Sequence, residues 1–154
     1  DGYRNILEHL SAQDIFGSIL LPASCEQEIE IVASAECRVL FFTYDQLIKR
    51  CSNACDCHSQ LVSNMLQILS LKTRQLHTRI EVLSQRSIRS KLLTYFRQLA
   101  FRNHSNSFTL PFTLGAMADY LFIDRSAMLR EMKKLREENL IQSKGREIHL
   151  RFPE

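Results

Sequence analysis

The sequence has no run of about 18 uninterrupted apolar residues, so no transmembrane helix is expected. It opens "DGYRNILEHL", without the basic start and apolar stretch of a secretory signal, and a cytoplasmic location is expected. Cysteine is sparse and odd in number, five in all. That argues against a disulfide framework and fits a reducing compartment, where thiols are free, metal-bound or redox-active. Catalytic arrangements are missing too. No Ser-His-Asp constellation or phosphate-cradling Gly-rich loop is visible, and His9, His77, His104 and His149 have no partners at catalytic spacing. His77 reads as a solvated position and Glu137-Glu138 as a solvated helix end, so no enzyme is expected. A thiol enzyme would require one cysteine with a strongly lowered pKa.

What is present is 154 residues with 45% apolar content, enough for one ordinary domain or two small ones with real cores. The net charge of +3 is unevenly spread: residues 1–85 carry 7 Lys/Arg against 10 Asp/Glu, and residues 86–154 carry 13 against 7. A basic C-terminal half points weakly to a polyanion partner.

Along the chain, "YRNILEHL", "DIFGSILL", "QEIEIVAS" and "CRVLFFT", within residues 3–43, read as short, partly alternating strands of an antiparallel sheet or partial barrel. "TYDQLIKRC" suits one or two helical turns capped by Thr43. From about His58 to Leu83 a helix without Gly or Pro is expected, about 40 Å long at 1.5 Å per residue. Val62, Leu66, Leu69, Thr73, Leu76, Ile80 and Leu83 repeat along it with spacings of 4, 3, 4, 3, 4, 3. That heptad seam favours a two-stranded coiled coil and a homodimer over a helix packed within one subunit. "SIRSKLLTYFRQLAFRN" follows as an amphipathic helix with Ile88, Leu92, Tyr95, Phe96 and Leu99 on one face. "NHSNS" is a loop, and "FTLPF" a short extended piece.

"TLGAMADYLFI" is a short helix introduced by Thr113, offering Leu114, Met117, Ala118 and Leu121 to a core. A turn at Phe122-Ile123 leads to "DRSAMLREMKKLREENL", where Asp124 is a good N-cap. Met128, Met132 and Leu135 cluster on one side; Ser126, Arg130, Lys133 and Glu137 lie opposite, within about 60° of one another. "LIQSKGREIHLRF" then places a Lys144-Gly145 turn between two extended arms, a β-hairpin signal. Taken alone, the charged helix face reads as solvated surface.

Helix, tight turn, second helix with a basic outer face, then hairpin is the order of a winged helix-turn-helix. A major groove admits one helix, and Arg is the side chain best able to bridge guanine O6 and N7. Arg125 and Arg130 stand more than one turn apart, so they suit two separated bases or, equally, one base and a phosphate. Ser126 can donate or accept at a base edge. Lys133 and Lys134 suit phosphates, and Thr113, Lys144 and Arg146 suit the DNA backbone on either side.

"TLGAMADYLFIDRSAMLREMKKL" and "NLIQSKGREIHL" resemble the DNA-binding domain of the Crp/Fnr family of bacterial transcription regulators. The long helix is similar to the family's dimerisation helix, and residues 3–43 look like the second half of its sensor β-roll, whose first part is absent. The resemblance implies an α+β chain with three parts. Residues 1–50 would be the C-terminal part of an effector-sensing, cupin-like, cyclic nucleotide-binding-like antiparallel β-roll. Residues 51–86 would be a linker and long coiled-coil dimerisation helix, and residues 87–154 a winged helix-turn-helix. It also implies DNA reading by Arg125, Ser126 and Arg130. Where the family often has Gly, this chain has Phe122; a bulky residue would be strained at positive φ, so a differently built turn is expected.

The resemblance does not extend to cyclic AMP. In "FGSILLPASCEQEIEIVAS" Ser18 stands where the family's ribose-binding Glu is expected. No Arg or Lys occurs between Arg4 and Arg38, while Glu26, Glu28 and Glu30 would face an anionic phosphate. The expected effector is a small ligand or a redox signal other than cyclic AMP. "CSNACDCH" puts Cys51, Cys55, Cys57 and His58 within eight residues, a soft donor set for zinc or an iron–sulfur cluster in an unusual spacing; free thiols at a helix junction are the plainer reading. Cys25 and Cys37 read as small buried hydrophobes. The expected partners are double-stranded DNA with a pseudo-palindromic operator, a second copy of the chain, RNA polymerase and a small-molecule effector. The rival expectation is a metal or thiol redox sensor acting through protein–protein contacts.

Overall fold

A computed structural model describes residues 6–17, 30–43 and 56–151. The chain divides into two units, one of residues 1–9 with 73–154 and the other of residues 10–72.

In the first unit the core grows from helices that are well specified locally. Helix α1 (Asp56–Leu83) brings its C-terminal residues into this unit, where Val82 is buried. Ser87 caps α2 (Ile88–Arg102) by accepting from the Ser90 N–H at 3.0 Å. This helix buries Leu92, Tyr95, Phe96, Leu99 and Ala100, the expected face, with Ile88 partly buried at its start. Thr113 caps α3 (Leu114–Leu121), and Asp124 caps α4 (Arg125–Glu137). From α3 come buried Met117, Ala118 and Leu121, with Leu114 packed against them; from α4 come Met128, Met132 and Leu135. Burying side chains of this size stabilises by roughly 1.5–3 kcal/mol each. Among the described residues the buried side chains are hydrophobic, Tyr95 being the one that carries a hydroxyl.

The hairpin forms, one residue later than the sequence suggests. Strands β2 (Ile141–Lys144) and β3 (Glu147–Leu150) pair antiparallel with Lys144 opposite Glu147, so the turn residues are Gly145-Arg146. Gly145 has φ +61° while Arg146 keeps an ordinary negative φ, the pattern of a type II′ turn. A third strand, β1 (Ser107–Thr109), pairs with β3, giving the order β1-β3-β2. Three strands can bury one face, which a lone hairpin hardly can. Phe108, Ile141, Ile148 and Leu150 supply that face.

The α3–α4 corner corrects the expectation for Phe122. It lies in the left-handed region at φ +54°, ψ +52°, so the turn is built as it would be around glycine. The Phe122 N–H donates to Asp119 O at 3.3 Å and the Ile123 N–H to Ala118 O at 3.1 Å, the Schellman pattern that satisfies orphan helix carbonyls. Holding a non-glycine residue there costs about 1–2 kcal/mol, offset by these bonds. His104 and Asn139 end α2 and α4 in the same region.

In the second unit, the described parts of the segments read as strands, residues 10–17 and 30–43, form no strand, nor do residues 6–9 in the first unit. A strand exists only by pairing, and β-rich composition supplies no partner. The apolar side chains of this stretch lie open: Val32, Leu40, Phe41 and Phe42 are all more than half exposed. Cys37 is exposed, against the expectation of burial. The expected helix over residues 44–50, the stretch around Ser18, Cys25, Glu26 and Glu28, and the side chains of Cys51, Cys55, Cys57 and His58 lie outside the described residues.

Candidate nucleic-acid interface

Asp124 organises the leading end of α4. Its Oδ1 accepts from the Ala127 N–H at 2.8 Å and from the Ser126 hydroxyl at 2.6 Å. The Ser126 hydrogen bond, then the Ala127 N–H and the Arg130 charge, hold its carboxyl below the usual carboxylate range. The cap is therefore ionised at neutral pH. Because the Ser126 hydroxyl proton is committed to it, Ser126 faces a ligand as an acceptor while that bond lasts.

Arg125, the first helical residue, is exposed. A Cβ placed on Gly115 would stand 4.0 Å from the Arg125 guanidinium Nη1 and 4.0 Å from the Thr113 hydroxyl. The Arg125 guanidinium and the Thr113 hydroxyl thus both lie close to Gly115, in the first turn of α3. Arg130, Lys133 and Lys134 are exposed along α4, opposite the buried Met128, Met132 and Leu135. Lys133 lies 3.8 Å from Glu137, and Lys134 lies 3.8 Å from Glu131. An exposed pair such as Lys133–Glu137 is weak, so Lys133 can exchange its carboxylate for a phosphate, whereas Glu131 is partly buried. Lys144 and Arg146 are exposed at the hairpin tip.

Side chains that hold these elements together were not singled out from the sequence. Arg136, at the end of α4, donates to the Ser143 hydroxyl at 3.0 Å and ties that helix to β2. Arg89 of α2 forks onto both Glu138 oxygens, with one bond of 2.9 Å, and lies 3.5 Å from Glu131. The Arg89 hydrogen bond, followed by its charge, lowers the Glu138 carboxyl below its ordinary range. On the outer face of the sheet Ser107 and His149 Nδ1 lie 2.7 Å apart. The pairing of Arg89 with Glu138 spans 49 residues, so no local pattern announces it, unlike the i,i+4 spacing of Lys133–Glu137 and the i,i+3 spacing of Lys134–Glu131.

Among the described residues no group of His, Cys, Asp or Glu is arranged to hold a metal ion, and no helix is long and apolar enough to cross a membrane. The surface instead carries one polar helix face, one cationic hairpin tip and a capped helix start, all exposed and supported by an apolar core.

Comparison with known proteins agrees with that construction. The family model described as the Crp-like helix-turn-helix domain matches residues 90–154, from the first turn of α2 onward. No curated protein gives a significant match to the chain. Families of this domain are DNA-binding regulators rather than enzymes. Residues 90–154 therefore form a Crp-like helix-turn-helix domain, a match that supports a transcription regulator of the Crp/Fnr type.

Proposed function

We propose that the chain is a sequence-specific DNA-binding transcription regulator that works as a homodimer in the cytoplasm. The exposed face of α4 carries this reading. Arg125, Ser126 and Arg130 stand at its leading half, Lys133 and Lys134 further along, and none is drawn into the core. Arg125 and Arg130 address base edges, and Ser126 accepts from one. The lysines, Thr113, Lys144 and Arg146 hold phosphates.

The seam on α1 supports the dimer. Val62, Leu66, Leu76 and Ile80 are 44%, 60%, 58% and 61% exposed in the single chain, an apolar row that a second copy would cover. Leu69 and Leu83, half-buried, and Thr73 complete the row. Two heads joined this way address half-sites about 34 Å apart in a pseudo-palindromic operator. Residues 1–50 belong in this reading to an effector-sensing β-roll whose ligand is not cyclic AMP, and the DNA-bound dimer presents its heads to RNA polymerase.

Binding titrations with operator and random duplexes test the reading. Arg125→Ala or Arg130→Ala should cost about 1–3 kcal/mol on the operator and relax preference at one position per half-site. Lys133→Ala should weaken both duplexes alike and flatten the salt dependence. An Arg125→Ala protein matching the wild type on both duplexes would remove α4 from the interface.

A further inference from the structure

The last four carbonyls of a helix have no partner within it. At the end of α3, Ala118 O and Asp119 O are taken by the N–H groups of Ile123 and Phe122. The other two are met by cations from different helices. Lys91 Nζ of α2 donates to Leu121 O at 3.2 Å, and Arg79 Nη2 of α1 reaches Tyr120 O at 3.4 Å. Both cations stand at the negative end of the helix dipole.

Arg79 does more than cap. Its guanidinium carbon lies 4.3 Å from the Tyr120 ring centroid and 5.8 Å from that of Phe122. The same Nη2 donates to Ile6 O at 2.6 Å. Its Nη1 is buried with no hydrogen-bond partner among the described residues, an arrangement that costs free energy. The remaining contacts must hold the side chain in place. What they hold is the corner where Phe122 occupies a left-handed conformation that its side chain disfavours. Asp124, the cap of α4, is two residues beyond.

We propose that Arg79 is a positioning residue for DNA reading: from near the end of α1 it clamps the α3–α4 corner and so sets the direction in which α4 presents Arg125 and Arg130. The inference rests on the DNA reading of α4 given above. A planar fork can cover two rings while donating to carbonyls on its edge; a lysine ammonium cannot do both.

The test uses the whole chain and compares Arg79→Lys, Arg79→Gln and the charge control Arg74→Gln, which removes a cation from the exposed side of α1. Amide hydrogen exchange over residues 119–124 is measured beside affinity for a random duplex and for sequences that the wild type enriches from a random pool. In both Arg79 variants the Phe122 and Ile123 amides should exchange about tenfold faster, the low end for loss of charge-assisted hydrogen bonds. Preference for enriched over random sequence should fall by roughly two- to thirtyfold, the range of couplings transmitted without ligand contact. Arg74→Gln should change neither. Adding Phe122→Gly to Arg79→Gln should restore part of the preference, because glycine accepts the corner unaided; a role confined to general stability predicts no such rescue. If Arg79→Gln does not fold, Arg79→Lys carries the same comparison. Wild-type exchange at residues 119–124 in Arg79→Gln, or wild-type preference in Arg79→Lys, overturns the proposal. If the wild type enriches no sequence, the DNA reading fails, and the exchange rates still decide whether Arg79 clamps the corner.

Discussion

In residues 73–151, Phe96, Leu121 and Leu135 are shielded from solvent, while in residues 10–72 no described side chain is buried and Phe41 is 82% exposed. Both stretches are rich in Leu, Ile, Val and Phe, so apolar content does not separate them. The difference lies in what each apolar group finds opposite. Helices α2, α3 and α4 satisfy their own backbones and need only each other's faces, which short connections bring together. Extended segments need a neighbouring strand before their backbones are satisfied and their side chains shielded. On α1, Val62, Leu66, Leu76 and Ile80 also lie open in the single chain, and the proposed dimer would cover them. An apolar pattern specifies a surface to be covered, and the cover has to come from elsewhere in the fold or from another chain.

The sharpest way to break this contrast acts on the seam. Leu66→Asp should cost about 3–5 kcal/mol of dimer stability by placing an unpaired charge in a covered row, and sedimentation should then show monomers. A wild-type chain that sediments as a monomer at every concentration would mean that the seam has no such cover. Next in size is Leu121→Ala in the core, expected to lower unfolding free energy by about 2–5 kcal/mol in denaturant titrations. Leu40→Ala, in the open stretch, should stay within about 0.5 kcal/mol of wild type. Equal losses at the two positions would show that residues 30–43 are buried in solution.

Smaller effects sharpen the account of the corner and of the α2–α4 ion pair. Phe122→Ala and Phe122→Gly both remove the ring, but only glycine relieves the positive φ. The glycine variant should therefore be the more stable of the two by about 1 kcal/mol. Equal stabilities would mean the corner carries no backbone strain. Smallest is the pH response of Glu138, whose carboxyl Arg89 holds below its ordinary value of 4.5. A depressed folded-state pKa adds stability that is complete above the unfolded value and is lost as pH falls through the folded one. Thermal melts should thus lose stability on acidification below that ordinary value, and Glu138→Gln should make the loss shallower. An unchanged acid limb would remove the pair from the energetics.

Local chemistry made much of the reading head legible. Ser126, Arg130 and Lys133 could be placed on the outer face because Met128, Met132 and Leu135 marked the inner one. Thr113 and Asp124 could be named as caps because their side chains bond within three residues of themselves. The hairpin followed from its glycine, although the turn closes one residue later than expected. Phe122 misled because propensity argues against a left-handed phenylalanine, while the bonds that enforce it come from the end of α3 and the contacts around it from α1. Strand β1 was seen only as an extended piece, since its partner, β3, lies about forty residues away.

By itself the sequence determined the helices of the head, the caps of α3 and α4, the buried stripes and the cationic face of α4, because each depends on residues within one or two turns. Only the tertiary structure decided that Phe122 turns left-handed, that β1 completes the sheet, that Arg89 meets Glu138 and that Arg79 reaches Ile6 and Tyr120. Those contacts join residues up to 73 positions apart, and the energy that selects them exists only once the core has brought the segments together.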